Sequence, residues 1–393
     1  MQQFDLAIIG GGLIGASMAR AMSGAGLRVV VLDQQPADTL YAAAQDNRGL
    51  ALSYTSSKIL AGLNCWQQLA VAAAPIKSVH VSEHGAFGFT SLKAAKFNIP
   101  ALGYVVSASA LGQVLVAGLE YLPDINVIRP VKINSVNYDT DRKIWDLELD
   151  SQRTIQAKLL VAADGSDSFL RHRLNIAVTS ENYQQSAIVT NISTTAVICE
   201  QAYERFTDSG VLALLPFGAK MLKCVWTVEN SALQNINCID DAEFLHKVQA
   251  AFGFRLGRFL QISKRMVFAI QQLQAQSLYA QGVVLIGNAA NTLHPVAAQG
   301  FNLGLRDVEV LAQTLLKAQQ AGHDLNSQLV LQKYANLRAR DHQLTQQYTN
   351  RLVTAFASDA SLVKYSRRLG ILATQFIPWL NERVTAQGLG LCR

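Results

Sequence analysis

Three glycine-punctuated segments carry the residue types from which a nucleotide site could be built. The first is Gly10-Gly11-Gly12-Leu13-Ile14-Gly15, between an apolar strand pattern and a helix pattern. In a G-x-G-x-x-G loop the first glycine permits a tight turn. The second lets backbone approach a pyrophosphate, and the third lets helix and strand pack closely. Leu13 and Ile14 then open a helix whose N–H groups and positive dipole end suit phosphates. Asp33 closes the next strand pattern, where a carboxylate can accept from ribose hydroxyls. The loop alone does not separate FAD from NAD.

The second segment is LLVAADGSDSFLR (159–171), an apolar strand pattern ending at Asp164-Gly165 with Ser168 and Arg171 behind it. It reads as a second nucleotide contact or as a plain Asp-Gly turn. The third is GNAANTLHPVAAQGFNLGLRD (287–307), after the apolar run Val283–Ile286. Gly287 and Asn288 leave a buried strand, and Gly300, Phe301 and Asn302 enter a helix. Small residues ahead of a helix N-terminus make a flat floor rich in N–H donors. Such a floor stabilises a ring edge that gathers negative charge, as the N1–C2=O edge of a reduced flavin does. The expectation is that side chains are absent there so that a flavin can lie against the backbone.

These segments need elements to hold them. FDLAIIG (4–10) and LRVVVLD (27–33) flank the small-residue helix pattern LIGASMARAMSGAG, a βαβ unit with a parallel strand pair. Residues 107–122 read as a helix with Ser109 as N-cap. NVIRPVKINSVNYD, KIWDLELD and TIQAKLLVAAD follow as three strands, the first two as a ribbon. From about 185 to 275 strand patterns dominate, with one helix near DAEFLHKVQAAFG, and after 300 the pattern is helical. The expected fold is α/β: a discontinuous, Rossmann-like FAD-binding domain (1–75, 101–175 and 277–315) with an inserted, mostly antiparallel β substrate domain (76–100 and 176–276) and a helical C-terminal region (316–393).

Composition narrows the function classes. Half of the 393 residues are hydrophobic and 16% are charged, ample for a core. No window approaches the roughly 18 apolar residues of a membrane span. No export signal precedes the first strand pattern, and the five cysteines form no CxxC pair, which suits a reduced, cytoplasmic protein without a disulfide framework or metal cluster. The net charge is +6, and residues 308–393 hold ten Lys/Arg against five Asp/Glu, a local +5. A basic, apolar tail suits an anionic surface, or an ordinary solvated helix face.

Taken in order, Gly10–Gly15, Asp164-Gly165 and Gly287-Asn288 resemble the three fingerprints of flavoprotein aromatic hydroxylases with the para-hydroxybenzoate hydroxylase fold. DNRGLALSYTSSKIL (46–60), ERFTDSGVLALLPF (204–217) and the 287–307 segment sharpen the likeness to the ubiquinone-biosynthesis hydroxylases. Gly287-Asn288 and VHVSEHGAFGF (79–89) most resemble the branch acting on 2-polyprenyl-6-methoxyphenol. The resemblance assigns Gly10, Gly12 and Gly15 to the FAD pyrophosphate and Asp33 to the adenosine ribose. It assigns Arg48 and Gln113 to the flavin side of the cofactor or its phosphates, and Asp164 to FAD and the path of the nicotinamide donor. Asn288 would bond ribitol or phosphates, and Gly300, Phe301 and Asn302 would meet the isoalloxazine. Two departures stand out: Ala298 where glycine is usual, and Asn288 where aspartate is usual, though the matched branch shares the second.

The resemblance further implies that NADPH or NADH, bound transiently, reduces FAD, and that O2 supplies the oxygen placed on an electron-rich ring. With both ortho positions of 2-polyprenyl-6-methoxyphenol occupied, attack goes para. No catalytic triad is needed, and His294 is the one acid/base candidate, equally a loop-shaping histidine. Leu212, Leu214, Pro216 and Phe217 on the strand GVLALLPF, with Pro295, are candidates for the substrate pocket. About half of the strand positions belong to sheet core on alternation alone. The tail LVKYSRRLGILATQFIPWL (362–380) has the composition of an interfacial helix. The expected partners are therefore a lipid-soluble prenylphenol and either a membrane surface, at the inner face of the cytoplasmic membrane, or other ubiquinone-biosynthesis proteins. Nucleic acid is not expected, and a homo-oligomer stays open. A hydroxylase of soluble aromatics and a flavin-binding assembly subunit are the alternatives. A flavin halogenase is disfavoured because no W-x-W-x-I-P occurs.

Overall fold

The structure, a computed structural model, describes residues 2–36, 49–86, 88–150, 152–207, 209–293 and 299–357. Its first sheet holds β1 (Gln2–Ile9), β2 (Val29–Leu32), β8 (Ile125–Ile128), β11 (Thr154–Ala162), β18 (Tyr279–Ala280) and β19 (Val283–Leu285), ordered β18-β19-β11-β1-β2-β8. β1 lies parallel to β2 and to β11, and β11 parallel to β19. Strands buried on both faces must be apolar throughout, which the runs LAII and VVVL satisfy. An antiparallel ribbon of β9 (Ile133–Asp139) and β10 (Ile144–Leu149) extends from β11.

Helices cover one face of this sheet: α1 (Leu13–Met22), α4 (Ala108–Val116), α8 (Gln299–Gln320) and α9 (Gln328–Ala357). Leu6, Ile8, Val29, Val31, Leu159 and Val161 pack there against Met18, Leu115, Leu305 and Tyr334. The alternate residues, among them Ala7, Ile9, Val30 and Leu160, pack on the other face against Trp145 and Leu147 of the ribbon. A small sheet of β3 (Gly49–Ser53), β4 (Ala74–Ile76) and β7 (Gly103–Ser107) stands beside α2 (Tyr54–Gly62) and α3 (Trp66–Ala70). The short α5 (Phe169–Arg173) follows the second glycine segment.

The second large sheet holds β5 (Ser78–Glu83), β6 (Phe89–Lys93), β12 (Val178–Thr194), β13 (Gln201–Thr207), β14 (Gly210–Gly218), β15 (Met221–Glu229), β16 (Phe259–Ile262), β17 (Met266–Ala275) and β20 (Asn291–Thr292). It is antiparallel except where β5 runs beside β13. α6 (Asn230–Asn237) and α7 (Asp241–Phe252) back one of its faces, burying Ile188, Leu222, Trp226 and Phe244. β20 comes from the third glycine segment, so that segment leaves the first sheet and joins the edge of the second.

Three expectations are corrected. The predicted strand 126–139 is two strands in different places. Pro130 offers no N–H to a ladder, and Val131 donates instead to the Asp33 carbonyl at 2.8 Å. The cap of α4 is Ser107, whose Oγ accepts from Ala110 N at 3.1 Å, and not Ser109. The single helix expected between 185 and 275 is a pair. α6 carries only a short apolar stripe, Ala232, Leu233 and Ile236, packed on the sheet core, while Asp240 caps α7 through Glu243 N at 2.7 Å. The tail 362–380 lies outside the described residues.

Candidate functional site

The first glycine loop is built for close backbone approach. Gly10 has φ +100°, and a Cβ there would stand 2.5 Å from the Ala163 carbonyl oxygen and 2.9 Å from Asp164 Cα. A Cβ at Gly15 would overlap the Gly10 carbonyl oxygen. Gly12 differs: an added Cβ meets nothing within 4 Å. The absent side chain is therefore not required by the protein's own packing. Gly12 is also the N-cap of α1, which has no side-chain cap and no acid in its first turn. An α-helix leaves its first N–H groups without internal partners. An open glycine in front of uncapped donors is the cradle a pyrophosphate fits.

Asp33 secures this loop. Its Oδ2 accepts from Gly11 N at 2.5 Å and its Oδ1 from Gln35 N at 2.7 Å. The carboxylate is half-buried at the strand end, and each oxygen has lone pairs left for ribose hydroxyls. Leu13 and Ile14 contribute first-turn N–H groups, and the Ile14 side chain does a second job. It is the wedge between two glycines: a Cβ at Gly304 would come within 2.7 Å of it, and one at Gly287 within 3.1 Å.

Asp164 meets Gly10 across the β1–β11 pair. Its Oδ2 accepts weakly from Leu170 N at 3.4 Å, and its Oδ1 is buried without a hydrogen-bond partner among the described residues. Burial raises its pKa, against lowering hydrogen bonds from Ser168 and nearby backbone. A buried carboxylate oxygen left open is costly, and the hydroxyls of a bound nucleotide would relieve it. Arg171 is the residue whose role the sequence left unread. It is 2% exposed, and its Nη1 and Nη2 donate to Ala289 O at 3.2 Å and Ser166 O at 2.7 Å. It ties the second segment to the third.

The third segment is anchored by charge. Gly287, at φ +59°, donates its N–H to Asp307 Oδ2 at 3.0 Å. Asp307 Oδ1 takes Arg338 Nε at 2.7 Å and His342 Nε2 at 2.6 Å. Arg306 and Arg338 share Asp341, and His342 Nδ1 meets Asn291 Nδ2 at 2.5 Å. Burial alone would raise the Asp307 carboxyl, but His342 and Arg338 outweigh it and hold it at about 2. The Asn288 side chain is exposed beside this anchor. Asn302 is committed elsewhere: its Oδ1 accepts from Ser53 N at 2.9 Å and Ser56 Oγ at 2.7 Å, and its Nδ2 donates to Ala51 O at 3.0 Å. It therefore fastens the small sheet to the start of α8, leaving contact with a ring to backbone. A Cβ at Gly300 meets nothing within 4 Å, and Phe301 is half-buried against the α8 core. Gln113 is exposed on α4, a helix that packs against α1. Arg48, His294, Pro295 and Ala298 lie outside the described residues.

On the second sheet, alternation along β14 divides the expected substrate residues. Leu212 and Leu214 are 0% exposed and packed in the core beneath α7. They turn away from the small sheet and have no surface for a ligand, which corrects their assignment. Leu215 and Phe217 turn the other way, against Ile76 and Val105. A Cβ at Gly49 would come within 3.2 Å of the Phe217 ring. Pro216 is buried with the Leu214 side of the strand.

Residues 3–346 match the model of the FAD binding domain family. The chain belongs to that family. It is a flavoprotein, and the open cradle at Gly12 and the unpartnered Asp164 oxygen fit FAD. This flavoprotein is 32% identical to ubiquinone hydroxylase UbiL of Rhodospirillum rubrum, over 98% of the chain and 89% of that relative. It is 28% identical to the 3-demethoxyubiquinol 3-hydroxylase of Escherichia coli, over 99% of both. Among solved structures it shares its fold with p-nitrophenol 4-monooxygenase PnpA of Pseudomonas putida, at a TM-score of 0.79, 17% identity and full coverage of both chains. The Pseudomonas aeruginosa protein PqsL gives a TM-score of 0.80 at 20% identity, covering 94% of this chain and 100% of its own.

Proposed function

We propose that this flavoprotein is an FAD-dependent aromatic monooxygenase that hydroxylates the ring of a polyprenylated phenol in ubiquinone formation. The step favoured is 2-polyprenyl-6-methoxyphenol to the corresponding 1,4-benzoquinol. The observation that carries this reading is the convergence of three distant segments, at Gly10, Asp164 and Gly287, in a chain whose relatives are named as ubiquinone hydroxylases over nearly their whole length.

Bound FAD supplies the redox chemistry, taking hydride from NADPH or NADH and activating O2. The protein's residues supply place and charge. The N–H groups opened by Gly12 hold the phosphates, and Asp33 holds the ribose. Backbone N–H groups at Gly300–Asn302, on the positive end of α8, stabilise charge on the ring edge they face. Asn302 and Asp307 keep that helix start fixed against the small sheet and Gly287. The substrate ring occupies the side of the second sheet that carries Leu215 and Phe217, where apolar surface keeps water away. In net balance, a ring C–H, O2, NADPH and a proton become a ring C–OH, NADP+ and water, so no external oxidant beyond O2 is required.

A lipid-soluble substrate also favours peripheral attachment through the basic, apolar segment 362–380. No helix among the described residues is long and apolar enough to cross a membrane. Vesicle flotation with and without residues 362–393 tests attachment: equal recovery of both forms removes the idea. The ring chemistry is tested by presenting the FAD-loaded protein with a panel of prenylphenols. Hydroxylation of 2-polyprenyl-6-methoxyphenol supports the favoured step. Preference for a demethoxyquinol moves the protein to another hydroxylation of the same ring.

A further inference from the structure

The face of the second sheet that closes on the small sheet is largely apolar where β13 and β14 cross it, and Glu204 is set into that part. Glu204 lies on β13, opposite Ala213 of β14 and Val81 of β5. Side chains alternate along a strand. Tyr203 points toward α7, its ring edge-on to Phe252. Ala202 points the other way, into the cluster with Ile76, Val105, Leu215 and Phe217. Glu204 shares the side of Ala202. Its row continues across the sheet through Ala213, Val225, Val189 and Met266. Among the described residues Glu204 makes no hydrogen bond or ion pair.

Apart from Asp164 at the nucleotide cradle, the other deeply placed acids are matched. Asp307 and Asp341 have Arg306, Arg338 and His342, and the half-buried Asp5 has Lys158. Glu204 stands beside Ala202, Val81 and Ala213, and burial pushes its pKa up to about 7 with no cation opposing it. The other titratable groups on this face are Glu83, two residues along β5 from Val81, Lys223, opposite Leu215, and Glu229 at the exposed strand end. Arg205 and His80 lie on the opposite face with Arg255. From α9, Arg338, Asp341 and His342 are held in the Asp307 cluster. An acid on an apolar face without a partner lowers stability, so its natural complement is a polar group brought by a ligand.

We propose that Glu204 is a catalytic residue: it accepts the proton of the substrate's phenolic hydroxyl while the ring carbon takes up oxygen. The inference rests on the reading of the protein as a phenol hydroxylase. The phenolic O–H bond breaks and an O–H bond forms on the carboxylate. The freed electron pair enters the ring and raises the nucleophilicity of the para carbon, which would form the new C–O bond to one atom of the activated O2 as the O–O bond breaks, the second atom leaving as water with the two electrons that NADPH supplies through FAD. The para C–H proton then leaves to restore aromaticity, and Glu204 returns its proton to the original oxygen. No electrons are exchanged with Glu204. A base titrating near neutrality is well matched to this transfer at physiological pH.

The test compares wild type, E204Q and E204D as full-length, FAD-loaded proteins on 2-methoxy-6-prenylphenol and a ring-fluorinated, more acidic analogue, from pH 5.5 to 9. FAD content, KM, kcat and product are measured. Glu204→Gln should retain FAD and bind substrate with similar KM, yet lose about a hundredfold in kcat. Wild-type kcat/KM should rise through an apparent pKa near 7, a limb absent in E204Q and present in E204D. The fluorinated phenol should recover much of the E204Q loss, because a more acidic hydroxyl needs less help. An E204Q enzyme within a few-fold of wild type, with the same pH limb, overturns the inference. So does a loss that follows FAD content and is not rescued by the acidic phenol, which would mark a structural role. A wild type that holds FAD but hydroxylates no phenol sinks the proposed function itself, and the role of Glu204 with it.

Discussion

Asp307 and Gly287 are joined although twenty residues separate them: Asp307 Oδ2 accepts the Gly287 N–H at 3.0 Å. The same carboxylate carries Arg338 and His342 on its other oxygen. One buried acid therefore fixes the turn of the third glycine segment, the start of α8 and the middle of α9.

Removing that acid should be severe. Asp307→Ala leaves Arg338 and His342 buried without their shared partner, a situation that costs about 3–5 kcal/mol. Thermal unfolding should drop sharply and FAD should be released, since Gly287 loses its anchor. Wild-type melting with full FAD retention in this variant would contradict the role. The Asp307 pKa, held at about 2 against an ordinary 3.8, is depressed by folding. Its contribution is therefore complete above 3.8 and is lost as pH falls through that value toward 2. Acid titration of stability should steepen in that window, and D307N should blunt it.

Glycines 12 and 15 should fail differently. A side chain at Gly12 meets no protein atom within 4 Å, so Gly12→Val should fold normally but bind no FAD, because the valine occupies the phosphate cradle. A Cβ at Gly15 overlaps the Gly10 carbonyl oxygen, so Gly15→Val should disturb the fold itself. Circular dichroism and the flavin absorbance separate the two outcomes. A yellow Gly12→Val protein would show the cradle is misplaced.

β14 should split by face. Leu214→Ala should cost about 2–5 kcal/mol of stability through a core cavity, with little change in prenyl-chain preference. Leu215→Ala should raise KM for long-chain phenols more than it lowers stability. Substrate-length profiles of both variants check this, and an altered profile in Leu214→Ala alone would reverse the assignment of the faces.

Glu204 makes a stability prediction free of any assay of turnover. Folding raises its pKa from 4.5 to about 7, so the folded state holds an extra proton between those values. Wild-type stability therefore falls, relative to E204Q, as pH rises from 4.5 to 7, then the difference levels off. The gain of E204Q at pH 8 should be on the order of 2 kcal/mol, allowing for the partial exposure of the group. A pH-independent difference in melting temperature would rule out the raised pKa.

The sequence was most legible where chemistry and backbone geometry coincide. Gly10–Gly15, Asp164 and Gly287 could be read because a tight turn or a close backbone approach is what demands glycine after a strand, and a ligand is what favours an acid at a strand end. The parallel strand pair followed from the order strand, helix, strand in FDLAIIG, LIGASMARAMSGAG and LRVVVLD, since a crossover helix sets its two strands running the same way. Leu212 and Leu214 misled because alternation fixes two faces without saying which one meets the helices. The Asp307–Arg338–His342 cluster was hidden by its placement: its members come from two helices, and helix spacing carries no sign of a partner thirty residues away. The Arg129-Pro130 step between β8 and β9 was in view, and the proline alone gave grounds to divide that strand.

The most direct measurement is product analysis with heavy-isotope dioxygen. Full-length protein loaded with FAD is supplied with NADPH and 2-polyprenyl-6-methoxyphenol, and the product is examined by mass spectrometry and ring NMR. The account predicts one labelled oxygen per product molecule, placed para to the original hydroxyl. Protein that takes up no FAD, or that yields only unlabelled phenol, would contradict it.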